Sequence, residues 1–395
     1  MPTLATTATC TGCHACYNAC AHQALTMEPN YEGFLMPVVD ADKCVECKAC
    51  EKACPIVTPK ENVNTAQPKA YAVWSLPDRA VSSSGGAFSA FARAIIKKGG
   101  VVYGAAWDEH LHLHHIAIEK VEDLEQLRGS KYVQSTMGDI YKEVRAKLRE
   151  GRYVLFCGTP CQVAGLKSFL HRDDDHLLSL DLACHGVPSD KVWQAYLQKF
   201  STRFAGELPA AYEFRRRDGW GFAPSVSLGD NWLKIYGVEA LYMEAFNKSS
   251  LFRESCYQCP YAKLPRVGDC SLADFWGIGR HGKPFHQDVM KGVSLVLVNN
   301  EKGQRFFSML TDVFTEERPL EEALVENYNI THPSKRDPQR EKVIRAFLDK
   351  TMTLEEIDKK YHIVDHSLKA TVKEYADKWG VFDKVKSIYN RYKAR

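Results

Sequence analysis

The sequence predicts a multidomain protein of mixed α+β and α/β class. It starts with a small cysteine-rich N-terminal module, continues with an α/β domain and ends in a helical tail. Three observations predict this. Two cysteine-rich runs occupy residues 10–54, strand patterns then alternate with helix patterns, and from about residue 346 the chain turns helical, charged and short of apolar residues.

The N-terminal runs are Cys10-x2-Cys13-x2-Cys16-x3-Cys20 and Cys44-x2-Cys47-x2-Cys50-x3-Cys54-Pro55. Each is the spacing that holds a 4Fe–4S cubane: three thiolates in one tight turn grip three corners, and the fourth arrives from further away. In two-cluster ferredoxins that fourth Cys serves the other cluster. Cys10, Cys13, Cys16 and Cys54 are therefore assigned to one cluster, and Cys20, Cys44, Cys47 and Cys50 to the second. The competing readings are zinc sites and a disulfide knot. Zinc ribbons use separated CxxC pairs. A disulfide knot needs a secretory route, and MPTLATTATC has no basic segment followed by an apolar one. Residues 1–60 closely resemble a bacterial two-4Fe–4S ferredoxin. One departure is Ala21, which follows Cys20 where Pro55 follows Cys54. That proline shapes a turn and is not a ligand, so the departure bears on geometry or potential. Such a module moves single electrons.

At 395 residues the chain can hold two or three domains and a sizeable core. With 45% hydrophobic and 26% charged residues it is ordinary globular material. A net charge of +3 gives no case for nucleic acid or an anionic membrane. No apolar run approaches the roughly 18 residues of a spanning helix. Fourteen Cys with no sign of secretion point to reduced thiolates, hence a cytoplasmic, anaerobic setting.

Residues 61–69 lie in a polar, Pro-bounded stretch that reads as a linker. A strand is expected at 70–75. Ser84-Gly85-Gly86-Ala87-Phe88 then leads into the helix pattern AFSAFARAIIKKG. Small residues at a helix start leave N–H groups open for a phosphate or flavin edge; local sequence favours the plainer alternative, a Ser cap with Gly for close packing. VVYGAAWD (101–108) is a strand, and His110, His112, His114 and His115 after it read as surface rather than metal ligands. Gly129-Ser130-Lys131-Tyr132-Val133-Gln134-Ser135 is a polar loop before the helix 138–151. Strands are expected at 153–156 and 177–184, with Cys161 and Cys184 at their C-terminal ends, where α/β sheets collect ligands. The texture turns β-like from about 210, with the basic run Arg215, Arg216 and Arg217. A strand at 294–299 and a helix at 301–310 follow, then helices from about 335.

Cys161, Cys184 and the Cys256-x2-Cys259 pair are either a third ligand set or scattered buried thiols, and spacing does not choose between them. Several segments together resemble the beta-subunit family of coenzyme F420 hydrogenases and dehydrogenases. They are Ser84–Phe88, Gly129–Ser135, Gly158-Thr159-Pro160-Cys161-Gln162, Cys184-His185-Gly186, Arg216-Arg217-Asp218-Gly219-Trp220, Cys256-x2-Cys259-Pro260 and Gly268-Asp269-x4-Asp274-Phe275-Trp276-Gly277. The resemblance covers residues 70–345 and leaves 346–395 as a helical tail. It implies a third 4Fe–4S cluster on Cys161, Cys184, Cys256 and Cys259. It also implies FAD near Ser84, Gly85, Gly86, Ala87, Phe88, Ser130, Lys131, Tyr132, Gln134 and Ser135, making 70–345 a flavin- and cluster-binding domain. Lys131 and Arg217 are candidates for phosphate binding or flavin polarisation, or plain surface charges. Cys157 and Cys270 have no ligand place and read as small buried hydrophobes.

The function expected is an iron–sulfur flavoprotein oxidoreductase that relays electrons between 4Fe–4S clusters and FAD and exchanges a hydride with coenzyme F420 or another small acceptor. The alternative is an electron-transfer subunit of a larger hydrogenase- or dehydrogenase-like complex, its chemistry on a partner. A ferredoxin or other redox protein is the expected partner. No Rossmann GxGxxG follows a strand, so a nicotinamide site of that type is not expected.

Overall fold

The computed structural model describes residues 1–215 and 220–381. Each cysteine run makes a tight loop and a short helix, Ala15–Ala19 and Ala49–Ala53. The two loops repeat one backbone. Gly12 and Glu46, then His14 and Lys48, are left-handed, with φ of 64°, 52°, 64° and 59°. Cys20 and Cys54 close the helices in extended conformation, their N–H groups bonded to the carbonyls of Tyr17 and Glu51 at 3.2 and 3.1 Å. The antiparallel hairpin β1 (Leu25–Pro29) and β2 (Leu35–Val39) lies between them.

The main domain is built on an eight-stranded mixed sheet. Its first five strands are β3 (Lys69–Ser75), β4 (Val101–Trp107), β5 (Leu113–Ile118), β6 (Val154–Gly158) and β7 (Leu177–Leu182). A separate three-stranded meander follows: β8 (Ala211–Arg215), β9 (Phe222–Leu228) and β10 (Asn231–Lys234). The chain then returns to the large sheet with β11 (Cys270–Asp274), β12 (Ser294–Val298) and β13 (Val313–Arg318), giving the order β13-β3-β12-β11-β7-β6-β4-β5. The centre, β4, β6, β7 and β11, is parallel, and β5 and β12 pair antiparallel at its flanks. Strand β6 is apolar throughout, as a parallel strand covered on both faces should be, while β7 alternates leucines with the buried Ser179 and Asp181.

Helix Ala87–Lys97 covers one face through Phe91, Ala92 and Ile95. Helices Ile140–Arg149 and Pro160–Leu170 cover the other, and Cys13 and Ala15 of the N-terminal module share their core with Val163, Leu166 and Phe169. The module is therefore packed into the sheet domain. The expected linker is also fixed. The buried Asn64 amide donates to the carbonyls of Arg266 and Gly268 at 2.8 and 2.9 Å and accepts from Asn300 at 2.8 Å.

Two expectations need correction. The chain from 346 is not set apart: Ala346, Phe347, Leu354, Ile357 and Ile363 are buried in one core with Trp193, Tyr196 and Phe246. Helices Arg340–Leu348 and Leu354–Tyr361 each carry an apolar stripe at 3- and 4-residue spacing, hidden in sequence by surrounding Lys and Glu. Only helix Leu368–Lys378 is mainly exposed, and the expected helix beyond 381 lies outside the described residues. His115 is not a surface residue either. At 5% exposure it bonds Ser135 Oγ through Nδ1 (2.7 Å) and the Cys157 carbonyl through Nε2 (3.0 Å). The carbonyl can only accept, so Nε2 carries the proton. Burial lowers its pKa to about 4.

Candidate metal centres

The two N-terminal ligand sets each face a cavity. One is lined by Cys10, Cys13, Cys16 and Cys54 with Met27 and Pro37. The other is lined by Cys20, Cys44, Cys47 and Cys50 with Leu25 and Val39. Cys20 and Cys54, which follow helices Ala15–Ala19 and Ala49–Ala53, thus each line the pocket of the other run, as the expected exchange of the fourth cysteine requires. Burial pushes the Cys13 thiol up to about 12, and Cys161, Cys10 and Cys54 push it the same way. Burial likewise raises Cys50, with Cys20 and Cys47 adding to it. Raised in this way the thiols are neutral when nothing is bound, and the thiolate form would need a cationic core beside it, such as a cubane's iron would supply.

The remaining candidate cysteines converge at the C-terminal ends of the central strands. Cys161 sits in the first turn of Pro160–Leu170, just after β6. A reciprocal Thr159–Gln162 cap holds this turn, and Thr159 Oγ1 lies 3.2 Å from Cys161 Sγ. The helix N-terminus favours negative charge there. Cys184 follows β7, and Cys256 and Cys259 come from the turn Glu254–Gln258 and the residue after it. Burial raises Cys184 well above its usual value, and Cys256, Cys161 and Cys259 act on it in turn. Cys256 is pushed up to about 12 by burial, then by Cys161. The four expected ligands thus come from the ends of β6 and β7 and from one short turn, and Cys13 packs on the helix that carries Cys161. Among the described residues no group of His, Cys, Asp or Glu is placed to hold a single metal ion. Cys157, half-buried, stays in β6, and fully buried Cys270 packs in the core, its Sγ 3.6 Å from the Gly303 carbonyl.

Buried polar residues hold this arrangement. Arg266 pairs with Asp181 at the end of β7 (2.7 Å), and Asp181 also accepts the N–H groups of Val267 (3.1 Å) and Gly268 (2.7 Å). That fixes the segment after Cys259. Arg340 grips Glu32 of the module with two bonds, 2.8 and 2.6 Å. These charged anchors carry no motif, and only three-dimensional proximity identifies them.

The residues expected around FAD separate into two groups. The Ser84–Phe88 and Ser130 loops meet, with Ser130 N–H bonded to Ser83 Oγ at 3.1 Å, at the left-handed Gly86 that starts helix Ala87–Lys97. Gly85 is there for close packing, since a Cβ would lie 2.2 Å from the Val73 carbonyl. Lys131 Nζ turns back onto the carbonyls of Arg128 and Gly129 (2.7 and 3.3 Å). Tyr132 packs 4.5 Å from Phe246 and accepts from Arg215 (3.3 Å). Gln134 and Ser135 are engaged elsewhere. Gln134 bridges the Thr11 carbonyl and Arg253 (3.0 and 3.2 Å), and Ser135 bonds His115. Arg217, and with it Arg216 to Gly219, lies outside the described residues.

A cysteine-lined two-cluster module docked against a mixed α/β sheet defines the chain as an iron–sulfur protein. Comparison with known proteins places its parts. Residues 151–323 match the family of the C terminus of the coenzyme F420 hydrogenase/dehydrogenase beta subunit, and residues 9–57 match the 4Fe-4S dicluster domain. The chain thus carries a domain similar to the C terminus of that beta subunit, behind a 4Fe-4S dicluster domain. It is 22% identical over 319 residues to the F subunit of the F(420)H(2) dehydrogenase of Methanosarcina mazei, covering 77% of this chain and 82% of that one. A chain of the F420-reducing NiFe hydrogenase complex from Methanosarcina barkeri, solved in a xenon derivatization study, superposes with a TM-score of 0.43 at 15% identity. That match covers 74% of this chain and 91% of the other. No helix among the described residues is long and apolar enough to cross a membrane.

Proposed function

We propose that the protein is an iron–sulfur flavoprotein oxidoreductase that relays single electrons through three 4Fe–4S sites to a flavin. The observation that carries the reading is the succession of thiol sets: Cys20/Cys44/Cys47/Cys50, then Cys10/Cys13/Cys16/Cys54, then Cys161/Cys184/Cys256/Cys259, with Cys13 packed on the helix that carries Cys161. FAD is assigned to Ser84–Phe88 and Ser130–Tyr132, where a helix start and a polar loop meet. Cubanes exchange one electron and hydride carriers two, so a flavin between them supplies the conversion. The substrate is coenzyme F420 or another small hydride acceptor, following the name of the matched family. The chain's own residues bury the thiols, cap the Cys161 helix and fix the sites at constant separation through Arg266, Arg340 and Asn64.

The second reading is an electron-transfer subunit serving a catalytic partner. It is favoured by the Methanosarcina mazei relative, which is itself named as one subunit of a dehydrogenase. Turnover by the isolated chain separates the two. The central test is anaerobic purification with iron and flavin quantitation. Wild type should hold about twelve irons and one FAD, and Cys184→Ser about eight irons with the dicluster spectrum intact. A colourless, zinc-containing protein would end the proposal.

A further inference from the structure

Three arginines are among the largest fully buried side chains: Arg253, Arg266 and Arg340. Arg266 faces Asp181 and Arg340 faces Glu32. Arg253, only 2% exposed, differs. It donates to the Cys10 carbonyl (3.0 Å), the Leu35 carbonyl, Gln134 Oε1 (3.2 Å) and Met36 Sδ (3.3 Å), and lies over the Phe34 ring at 5.1 Å. Every one of these partners is neutral. A buried guanidinium facing only neutral groups is expensive, and natural proteins place such a charge where an anion balances it.

The position shows which anion. On one side the guanidinium presses on the loop of the first thiol set, where a Cβ on Gly12 would lie 2.7 Å from Arg253 Nη2. On the other, its own backbone organises the third set. Arg253 N–H bonds the Val187 carbonyl just past Cys184 (2.9 Å), and its carbonyl accepts the Cys256 N–H (2.9 Å). The side chain thus springs from a residue whose backbone is bonded both to the segment after Cys184 and to Cys256 itself. A cubane held by four thiolates is a net anion and gains a further negative charge on reduction, and cluster potentials respond to nearby charge and hydrogen bonds.

We propose that Arg253 is the shared counter-charge of the Cys10/Cys13/Cys16/Cys54 and Cys161/Cys184/Cys256/Cys259 sites, and that it raises the potentials of both. The inference rests on the three-cluster reading. In the transfer it tunes, one electron leaves one site and enters the other, supplied by a low-potential one-electron donor, with no bond made or broken. Arg253 is a positioning residue for that step.

The test is potentiometric EPR titration of the full chain, prepared anaerobically, after iron quantitation. Wild-type iron content near eight would overturn the three-cluster reading, independently of any potential. With iron intact, Arg253→Gln should lower the midpoints of both sites so that their oxidised-to-reduced ratio at the wild-type midpoint rises at least tenfold, about 59 mV for a one-electron couple. The Cys20/Cys44/Cys47/Cys50 midpoint should stay in place, and Arg253→Lys should restore the others. Should Arg253→Gln lose iron, Gln134→Glu neutralises the guanidinium in place and should give the same negative shift. Gln134→Leu, which loses the Thr11 bond without adding charge, should not. Unmoved midpoints in the iron-replete Arg253→Gln protein, or equal midpoints in Gln134→Glu and Gln134→Leu, would overturn the proposal.

Discussion

Gly165 tests how closely the cluster module is seated. It lies inside helix Pro160–Leu170, where replacing Gly by Ala ordinarily stabilises by roughly 0.5–1 kcal/mol through lost unfolded-state freedom. Here an added Cβ would lie 2.9 Å from Cys13 Sγ, 3.0 Å from Cys13 Cβ and 3.0 Å from Tyr141 Oη. None of these neighbours can give way easily. Tyr141 is fully buried and its hydroxyl donates to the Gln162 carbonyl at 2.7 Å, while Cys13 lies in the shared core. Overpacking at such a site costs about 1–3 kcal/mol. The clash therefore outweighs the helix gain, and Gly165→Ala should destabilise by about 1–2 kcal/mol. Cluster absorbance during denaturant unfolding under anaerobic conditions reads this directly, and loss should begin with the iron held at Cys13. A stabilised Gly165→Ala protein with full iron content would mean that the module sits further from the helix than described, and the packing argument for a fixed relay would fail with it.

Other substitutions probe the remaining anchors. Asp181→Ala leaves Arg266 buried without its partner and should cost about 3–5 kcal/mol in denaturant unfolding, with iron lost from the third set; a change below about 1 kcal/mol would show that the pair does not hold the Cys259 segment. Asn64→Ala removes the amide bonds to Arg266, Gly268 and Asn300 and should cost about 1–3 kcal/mol. It should also make residues 58–69 the first site of proteolysis, and an unchanged cleavage pattern would contradict the fixed linker. His115, held near pKa 4 against an ordinary 6.5, binds its proton more weakly folded than unfolded. Its contribution is therefore complete above pH 6.5 and lost as pH falls towards 4, about 3 kcal/mol in all. His115→Gln, which keeps a donor and an acceptor but does not titrate, should flatten the pH dependence of unfolding across that window; an equal slope in both proteins would refute the assignment.

The N-terminal dicluster domain was legible because a cubane imposes spacing on the chain locally: three thiols must come from one turn, and only the fourth is free to be distant. The central strands were legible for a similar reason, since burial on both faces forces runs such as Val154–Gly158 to be apolar. The helices at Arg340–Leu348 and Leu354–Tyr361 were not, because their buried stripes are narrow and their outer faces carry enough charge to mimic a solvated arm. His115 hid among neighbouring histidines, since alternation along β5 says which residues share a face and not which face is covered.

Least legible was the joint between module and sheet. Its contacts span the chain: Arg253 reaches Cys10 across 243 positions, Arg340 reaches Glu32 across 308, and Gln134 reaches Thr11 across 123. These residues are polar, so hydrophobic periodicity passes over them, and each acts on a backbone carbonyl or one carboxylate, which leaves no pattern in the partner's sequence. Polar anchors nonetheless suit a relay better than a larger apolar seam. Apolar contact is non-directional and tolerates sliding, whereas a buried hydrogen bond loses its full value when misplaced. Bonds from Gln134 and Arg253 to the Cys10–Thr11 backbone therefore fix the first thiol set against the third in register as well as in distance. The same guanidinium that fixes the register brings a positive charge to the joint. Position and potential are consequently coupled in one side chain, and any substitution at 253 must be read for both.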